Sequence, residues 1–220
     1  MVWWVTSVAL ADPAPVLALG DGLVAAPPAE GHGAVSAGWV SVLADCLEER
    51  APQRFTVIDR VSSGETFASA RGKVGSMREV GAGVVVVGLG ARELAGDTDP
   101  KALRSELDTF LADLRKGKKP RPAVLLLSVV PPAPKEADAA EIARLEQRSS
   151  GWSAALAEAA RGGEGIVLVD LLADWPADPA ARAALIDGGW ALSDQGHARV
   201  AAAVCDALLK VPAPAPPAGD

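Results

Sequence analysis

The residues of this chain that could do chemistry stand in short blocks beside apolar runs. Gly20-Asp21-Gly22-Leu23 comes after Val16-Leu17-Ala18-Leu19, and Ser63-Gly64-Glu65-Thr66 follows a second run. Gly90-Ala91-Arg92-Glu93 comes after Val84-Val85-Val86-Val87. Near the end stand Asp187-Gly188-Gly189-Trp190 and Leu192-Ser193-Asp194-Gln195-Gly196-His197. Serine, histidine and aspartate are the parts of nucleophilic acyl transfer, in which a hydroxyl attacks and an imidazole takes its proton. The hydroxyls nearest these blocks belong to Ser62, Ser63 and Ser193, and the imidazoles of the chain are His32 and His197. Such serines more often cap helices and turns, and such histidines more often pack, so a Ser–His pair is one of two readings.

A second chemistry competes for the first block. Gly20-Asp21-Gly22-Leu23-Val24-Ala25 also fits G-x-G-x-x-A after a strand, with Asp59 ending the next strand. A dinucleotide site needs a helix starting at those glycines and an acid about 20 residues on. Pro27-Pro28 stops a helix almost at once, and Asp59 lies too far along the chain. Gly88-Leu89-Gly90 fits less well still. Nucleotide binding is set aside.

The elements that must position these blocks alternate in type. Val- and Leu-rich runs at Val16–Gly20, Phe55–Asp59, Val84–Leu89, Ala123–Val129 and Ile166–Asp170 read as strands covered on both faces. Between them, Val35–Arg50, Glu65–Val80, Lys101–Lys116 and Ala137–Arg161 read as helices, with Ile142, Leu145, Ser149, Trp152 and Leu156 on one face of the last. Ser193 can cap a final helix in which Val200, Val204 and Leu208 step by four. This alternation predicts a parallel sheet wrapped by helices. The chain divides into an apolar N-terminal segment (1–12), one domain (13–210) and a Pro/Ala-rich tail (211–220).

In order and spacing the blocks resemble those of the SGNH/GDSL hydrolases: G-D-S-L, S-G-x-T, G-x-N-D, and D-G-x-H followed by G-H. The resemblance runs from Val16 to Leu209. It implies a three-layer α/β/α sandwich around a flavodoxin-like five-stranded parallel sheet of order 2-1-3-4-5. It also implies that Gly22 stands at the nucleophilic serine, Arg92 at the oxyanion asparagine and Trp190 at the general base. Asp187, which would orient that base, is kept, and His197 matches the structural histidine of G-H. Gly22 has no side chain to attack with, and Trp190 has only a donor N–H. Losing members of such a triad removes several orders of magnitude in rate.

The resemblance therefore implies a catalytically inactive member that acts as a binding or scaffold module. The N–H groups of Gly22 and Gly64 with the Arg92 guanidinium would form a donor-only cluster suited to a small anion, and Trp190 could stack on a sugar ring of a glycan ligand. Two alternatives stand beside it. One is a weak or unconventional esterase or acyl hydrolase with a recruited Ser and His. The other is a structural subunit in which Trp190 plugs the site and Arg92 pairs with Asp187, Asp21 or Glu93. Asp187 is the favoured partner of the three, because the histidine it would orient is gone.

Composition narrows the partners. A net charge of −7 over 220 residues argues against nucleic acid, and no stretch is long enough to span a bilayer. The run Arg115-Lys116-Gly117-Lys118-Lys119 with Arg121 reads as a solvated helix end that offsets the helix dipole. The sequence offers no metal-ligand cluster and requires no cofactor. Cys46 and Cys205 lie on apolar helical stripes and read as buried free thiols, although adjacent helices would allow a disulfide. A protein partner or a small anionic or glycan ligand remains. Residues 1–11 lack the positive start of an export signal, so the cytoplasm is expected, with export through an atypical signal as the alternative.

Overall fold

The structure is a computed structural model and describes residues 12–21, 38–96, 98–117, 121–131, 134, 136–187, 189 and 191–212. Five parallel strands form its centre: β1 (Ala14–Gly20), β2 (Phe55–Asp59), β3 (Val84–Gly88), β4 (Ala123–Leu127) and β5 (Ile166–Val169). Their order is β2-β1-β3-β4-β5, the order implied by the family resemblance. The three inner strands are the most apolar. Val16–Leu19, Val84–Val87 and Val124–Leu127 are all buried, each valine and leucine side chain contributing about 1.5–3 kcal/mol relative to exposure. At the edge, β5 leaves Val167 exposed, so the expectation of two covered faces fails there. An edge strand has a neighbour on one side only, and its cover thins accordingly.

Helices α1 (Trp39–Arg50) and α8 (Asp194–Lys210) pack together as one layer. The other layer holds α2 (Phe67–Gly72), α3 (Val74–Glu79), α4 (Ala91–Ala95), α5 (Pro100–Arg115) and α6 (Ala139–Gly162). A short helix α7 (Pro179–Ala183) and a small antiparallel pair, β6 (Ile186–Asp187) and β7 (Ala191–Leu192), precede α8. Helix starts follow their caps: Asp99, Asp138 and Asp178 each accept from a first-turn N–H, and Pro100 fills the first turn of α5. The stripe on α6 is as read, with Leu145, Ser149, Trp152 and Leu156 buried and Ile142 half-buried. Trp39 and Trp152 are fully buried, and Trp175 nearly so.

Two sequence expectations need correcting here. The single helix over 65–80 is two short ones, broken at Lys73, whose backbone sits at φ −101° and ψ −3°. Gly72 weakens the run, and the Lys73 ammonium turns back to Glu65 at 2.5 Å. The free-thiol reading also fails: Cys46 and Cys205 form a disulfide between α1 and α8, with Cα atoms 6.5 Å apart. Both cysteines do lie on packed stripes, but the two stripes face each other, which brings the sulfurs within bonding reach. Residues 1–11 and 213–220, most of the expected terminal segments, lie outside the described residues.

Candidate active site

The first three sequence blocks lie at the carboxyl edge of the sheet, where β1, β2 and β3 end. Three buried carboxylates organise that edge, and each of them faces inward. Asp21, 1% exposed, follows β1 and donates its own N–H to the Gly88 carbonyl at the end of β3. Its carboxylate accepts from the N–H of Ala91 (2.7 Å) and of Arg92 (3.3 Å), at the start of α4. A carboxylate at a helix start satisfies orphan donors and meets the positive end of the helix dipole. The first block thus holds the third in place.

Glu93 links the third block to the second. One oxygen accepts from the Phe67 N–H at 2.8 Å, at the start of α2, while the other is buried without a partner. Burial pushes the Glu93 carboxyl above its ordinary range; the Phe67 N–H opposes this shift, and the more distant Glu106 adds to it. Within the second block, Glu65 accepts from the Ser69 hydroxyl at 2.6 Å as well as pairing with Lys73. Thr66 and Ser69 cap α2 reciprocally.

Gly90 sets the direction of α4. Its φ of +114° is one that other residues rarely adopt, and a Cβ there would lie 2.6 Å from the Trp152 indole nitrogen. The loop therefore rests directly on the ring of Trp152, which also packs edge-on against Phe67. With Ala91, Glu93 and Leu94 turned into the core, Arg92 must face outward.

Arg92 is exposed, and among the described residues its guanidinium makes no ion pair or hydrogen bond. The expected Arg92–Asp187 pair is absent. Asp187 lies exposed on β6, while Asp21 and Glu93 are held by backbone N–H groups of α4 and α2. Arg92 thus reaches solvent. Gly64, at φ +76°, is exposed after β2, and its N–H has no acceptor among the described residues. Gly22 and Trp190, with His32 and Gly188, lie outside the described residues.

No serine–histidine hydrogen bond forms among the described residues. Ser193 donates to the Ala184 carbonyl at 2.6 Å and accepts from the Gly196 N–H, so it is a cap. His197 is 1% exposed, and its Nδ1 accepts from the Trp39 N–H at 3.2 Å. Gly38 precedes α1 and has no side chain to cap it, so His197 serves that end instead. Burial holds the imidazole below its usual pKa, with Asp194 acting in the opposite sense. Ser62 and Ser63 are exposed next to Gly64.

Sequence reasoning missed one polar pair at this edge. The Ser128 hydroxyl, buried just after β4, donates to Asp170 at 3.2 Å and accepts from the Leu172 N–H. It borders a void of about 10 Å³ shared with Asp21, Ala91 and Val200. The available signal is a serine closing the apolar run Val124–Leu127, which the strand expected over Ala123–Val129 absorbs.

The GDSL-like lipase/acylhydrolase family model matches residues 18–199. Among solved structures, a carbohydrate acetylesterase family member from Sinorhizobium meliloti superposes with a TM-score of 0.68 at 17% identity, covering 89% of this chain and 97% of that one. A lipase/acylhydrolase from Enterococcus faecalis gives 0.67 at 18% identity, over 89% and 95% of the two chains. A GDSL-like lipase from Bacteroides thetaiotaomicron gives 0.65 at 18% identity, over 92% and 93%. No curated protein matches the sequence.

Proposed function

The chain belongs to the GDSL-like lipase/acylhydrolase family, and from that premise we propose that it is a member without triad chemistry, binding a small anionic or glycan ligand at the remnant site. The observation that carries this reading is the state of Arg92. Its guanidinium stands exposed and unpaired among the described residues, at the position given to the oxyanion asparagine, on the same sheet edge as the unpaired N–H of Gly64. A forked cation and backbone donors suit a carboxylate, phosphate or sulfate group. Gly22, in the nucleophile's place, can offer only a further N–H, and Trp190, in the base's place, a stacking face.

A plugged scaffold is the second reading, in which Trp190 fills the site and Arg92 serves only the surface. A weak esterase is the third, favoured by family membership and by the exposed Ser62 and Ser63. Incubation with nitrophenyl esters and a serine-directed phosphonate separates the third from the others. No burst and no labelled serine are expected, and at most the rate that oxyanion donors alone supply, about 10³–10⁴ over water. Stoichiometric labelling of any serine would overturn the reading. Titration with acetate and a uronic acid, comparing the native chain with Arg92→Ala, separates binding from scaffold.

The Cys46–Cys205 bond supports a place in an oxidising compartment, and so the exported alternative rather than the cytoplasm. Alkylation and mass measurement of protein isolated without reductant tests this. Two free thiols would reverse it.

A further inference from the structure

The opposite, amino edge of the sheet carries a cationic cleft that the family's chemistry does not use. Its parts come from the chain just before three strands: Arg78 in α3 before β3, Arg115 and Lys116 at the end of α5 with Arg121 before β4, and Glu164 before β5. A cavity of about 520 Å³ opens between Leu111, Asp113, Arg115, Lys116, Gly117 and Arg121. Arg78 reaches the same turn, since a Cβ on Gly117 would lie 3.9 Å from its Nη2. In a chain of net charge −7, three cations thus line one opening and a fourth, Arg78, reaches the turn at its rim.

The acids nearby do not neutralise them. Asp113 is paired with Arg71 at 3.2 Å. Glu164 takes Arg115 Nη2 on its main-chain oxygen at 2.5 Å, and its carboxylate offsets part of that charge. Among the described residues Arg78, Lys116 and Arg121 have no carboxylate partner. The Nε atoms of Arg78 and of Arg115 are both buried without an acceptor. A buried donor left unpaired costs free energy, so neither guanidinium is fully satisfied by the described chain alone. The pKa of Arg115 is lowered by burial and then by repulsion from Arg121, which lines the same cavity. The end of α5 contributes only partial negative charge, less than the cations bring.

We propose that this cleft binds a phosphate-class dianion, either free phosphate or a phosphomonoester headgroup, held by Arg78, Arg115, Lys116 and Arg121. Guanidinium forks match the geometry of such oxygens. The site is separate from the remnant site and independent of the function proposed for it.

Calorimetric titration of the full chain carrying Arg92→Ala, which removes the cation of the remnant site, with inorganic phosphate at constant ionic strength set by chloride tests the proposal. Saturable binding is expected. Arg121→Gln, an exposed side chain whose loss leaves the fold intact, should weaken it about tenfold, as loss of one charge-assisted contact does. Arg115→Gln with Arg121→Gln should abolish it, while Lys101→Gln at the other end of α5 should leave it unchanged. Flotation with phosphatidylcholine vesicles, with and without phosphatidic acid, identifies the source. Capture only by the acidic vesicles, reversed by phosphate, supports a headgroup; phosphate binding without capture supports a soluble ligand. Absence of saturable phosphate binding, or binding kept unchanged in Arg121→Gln and in the Arg115→Gln, Arg121→Gln double variant, would overturn the proposal.

Discussion

The two edges of one sheet treat charge in opposite ways. At the carboxyl edge, Asp21, Glu65 and Glu93 are buried and accept from backbone N–H groups, a hydroxyl or an ammonium of neighbouring segments, with one Glu93 oxygen left over. At the amino edge the charges are arginines and a lysine around an open cavity, with donors left over. The acids of the first edge hold loops in place; the cations of the second stand without carboxylate partners among the described residues. At the carboxyl edge the caps hold their loops while Arg92, turned out by the geometry of Gly90, faces solvent.

The sharpest way to break this contrast is to disturb what aims α4. Gly90→Ala should lower unfolding free energy by about 3 kcal/mol or more, since it adds backbone strain to overpacking against Trp152. Urea denaturation measures it, and a change under 1 kcal/mol would show that the loop can shift off the ring at little cost. Next in size, Asp21→Ala should cost about 2–3 kcal/mol by leaving the Ala91 and Arg92 N–H groups without their acceptor, and Asp21→Asn should recover part of this.

A subtler effect is in the pH dependence of stability. His197 has a folded pKa below its ordinary 6.5, so the unfolded chain binds the extra proton. Its contribution is complete above pH 6.5 and is lost as pH falls toward the lowered folded value. Glu93 behaves in the opposite way: its folded pKa lies above the ordinary 4.5, so its contribution is present below that value and lost as pH rises through the folded one. Denaturation midpoints across pH 4–8 should flatten on the alkaline side in Glu93→Gln and on the acidic side in His197→Asn. The smallest effect belongs to Arg92. Its replacement by Ala should change stability by less than about 0.5 kcal/mol and add to Asp187→Asn without coupling. A coupling near 1 kcal/mol would restore the Arg92–Asp187 pair in solution.

The strands were legible because inner parallel strands must be apolar on both faces, and Val84–Val87 and Val124–Leu127 carry that requirement openly. The start of α8 was legible from Ser193, because a cap works through its own local backbone. The site was legible only as a set of positions. Whether Asp21 would face Arg92's side chain or its backbone depends on α4, a single turn of helix too short to show periodicity. The disulfide was hidden for a related reason: each cysteine looked like a core residue on its own helix, and only the pairing of α1 with α8 turns two stripes into one bond.

That bond also decides how the molecule would respond to being pulled. A force applied at the two ends of the chain is carried across Cys46–Cys205 and bypasses everything between them. The strands β2 to β5 lie within the bypassed loop, but β1 lies before Cys46, and in the sheet it sits between β2 and β3. Tension therefore falls on an inner strand whose two neighbours are shielded. In a force-extension experiment the oxidised chain should release β1 and then stop, with the rest of the sheet paid out only after reductant is added.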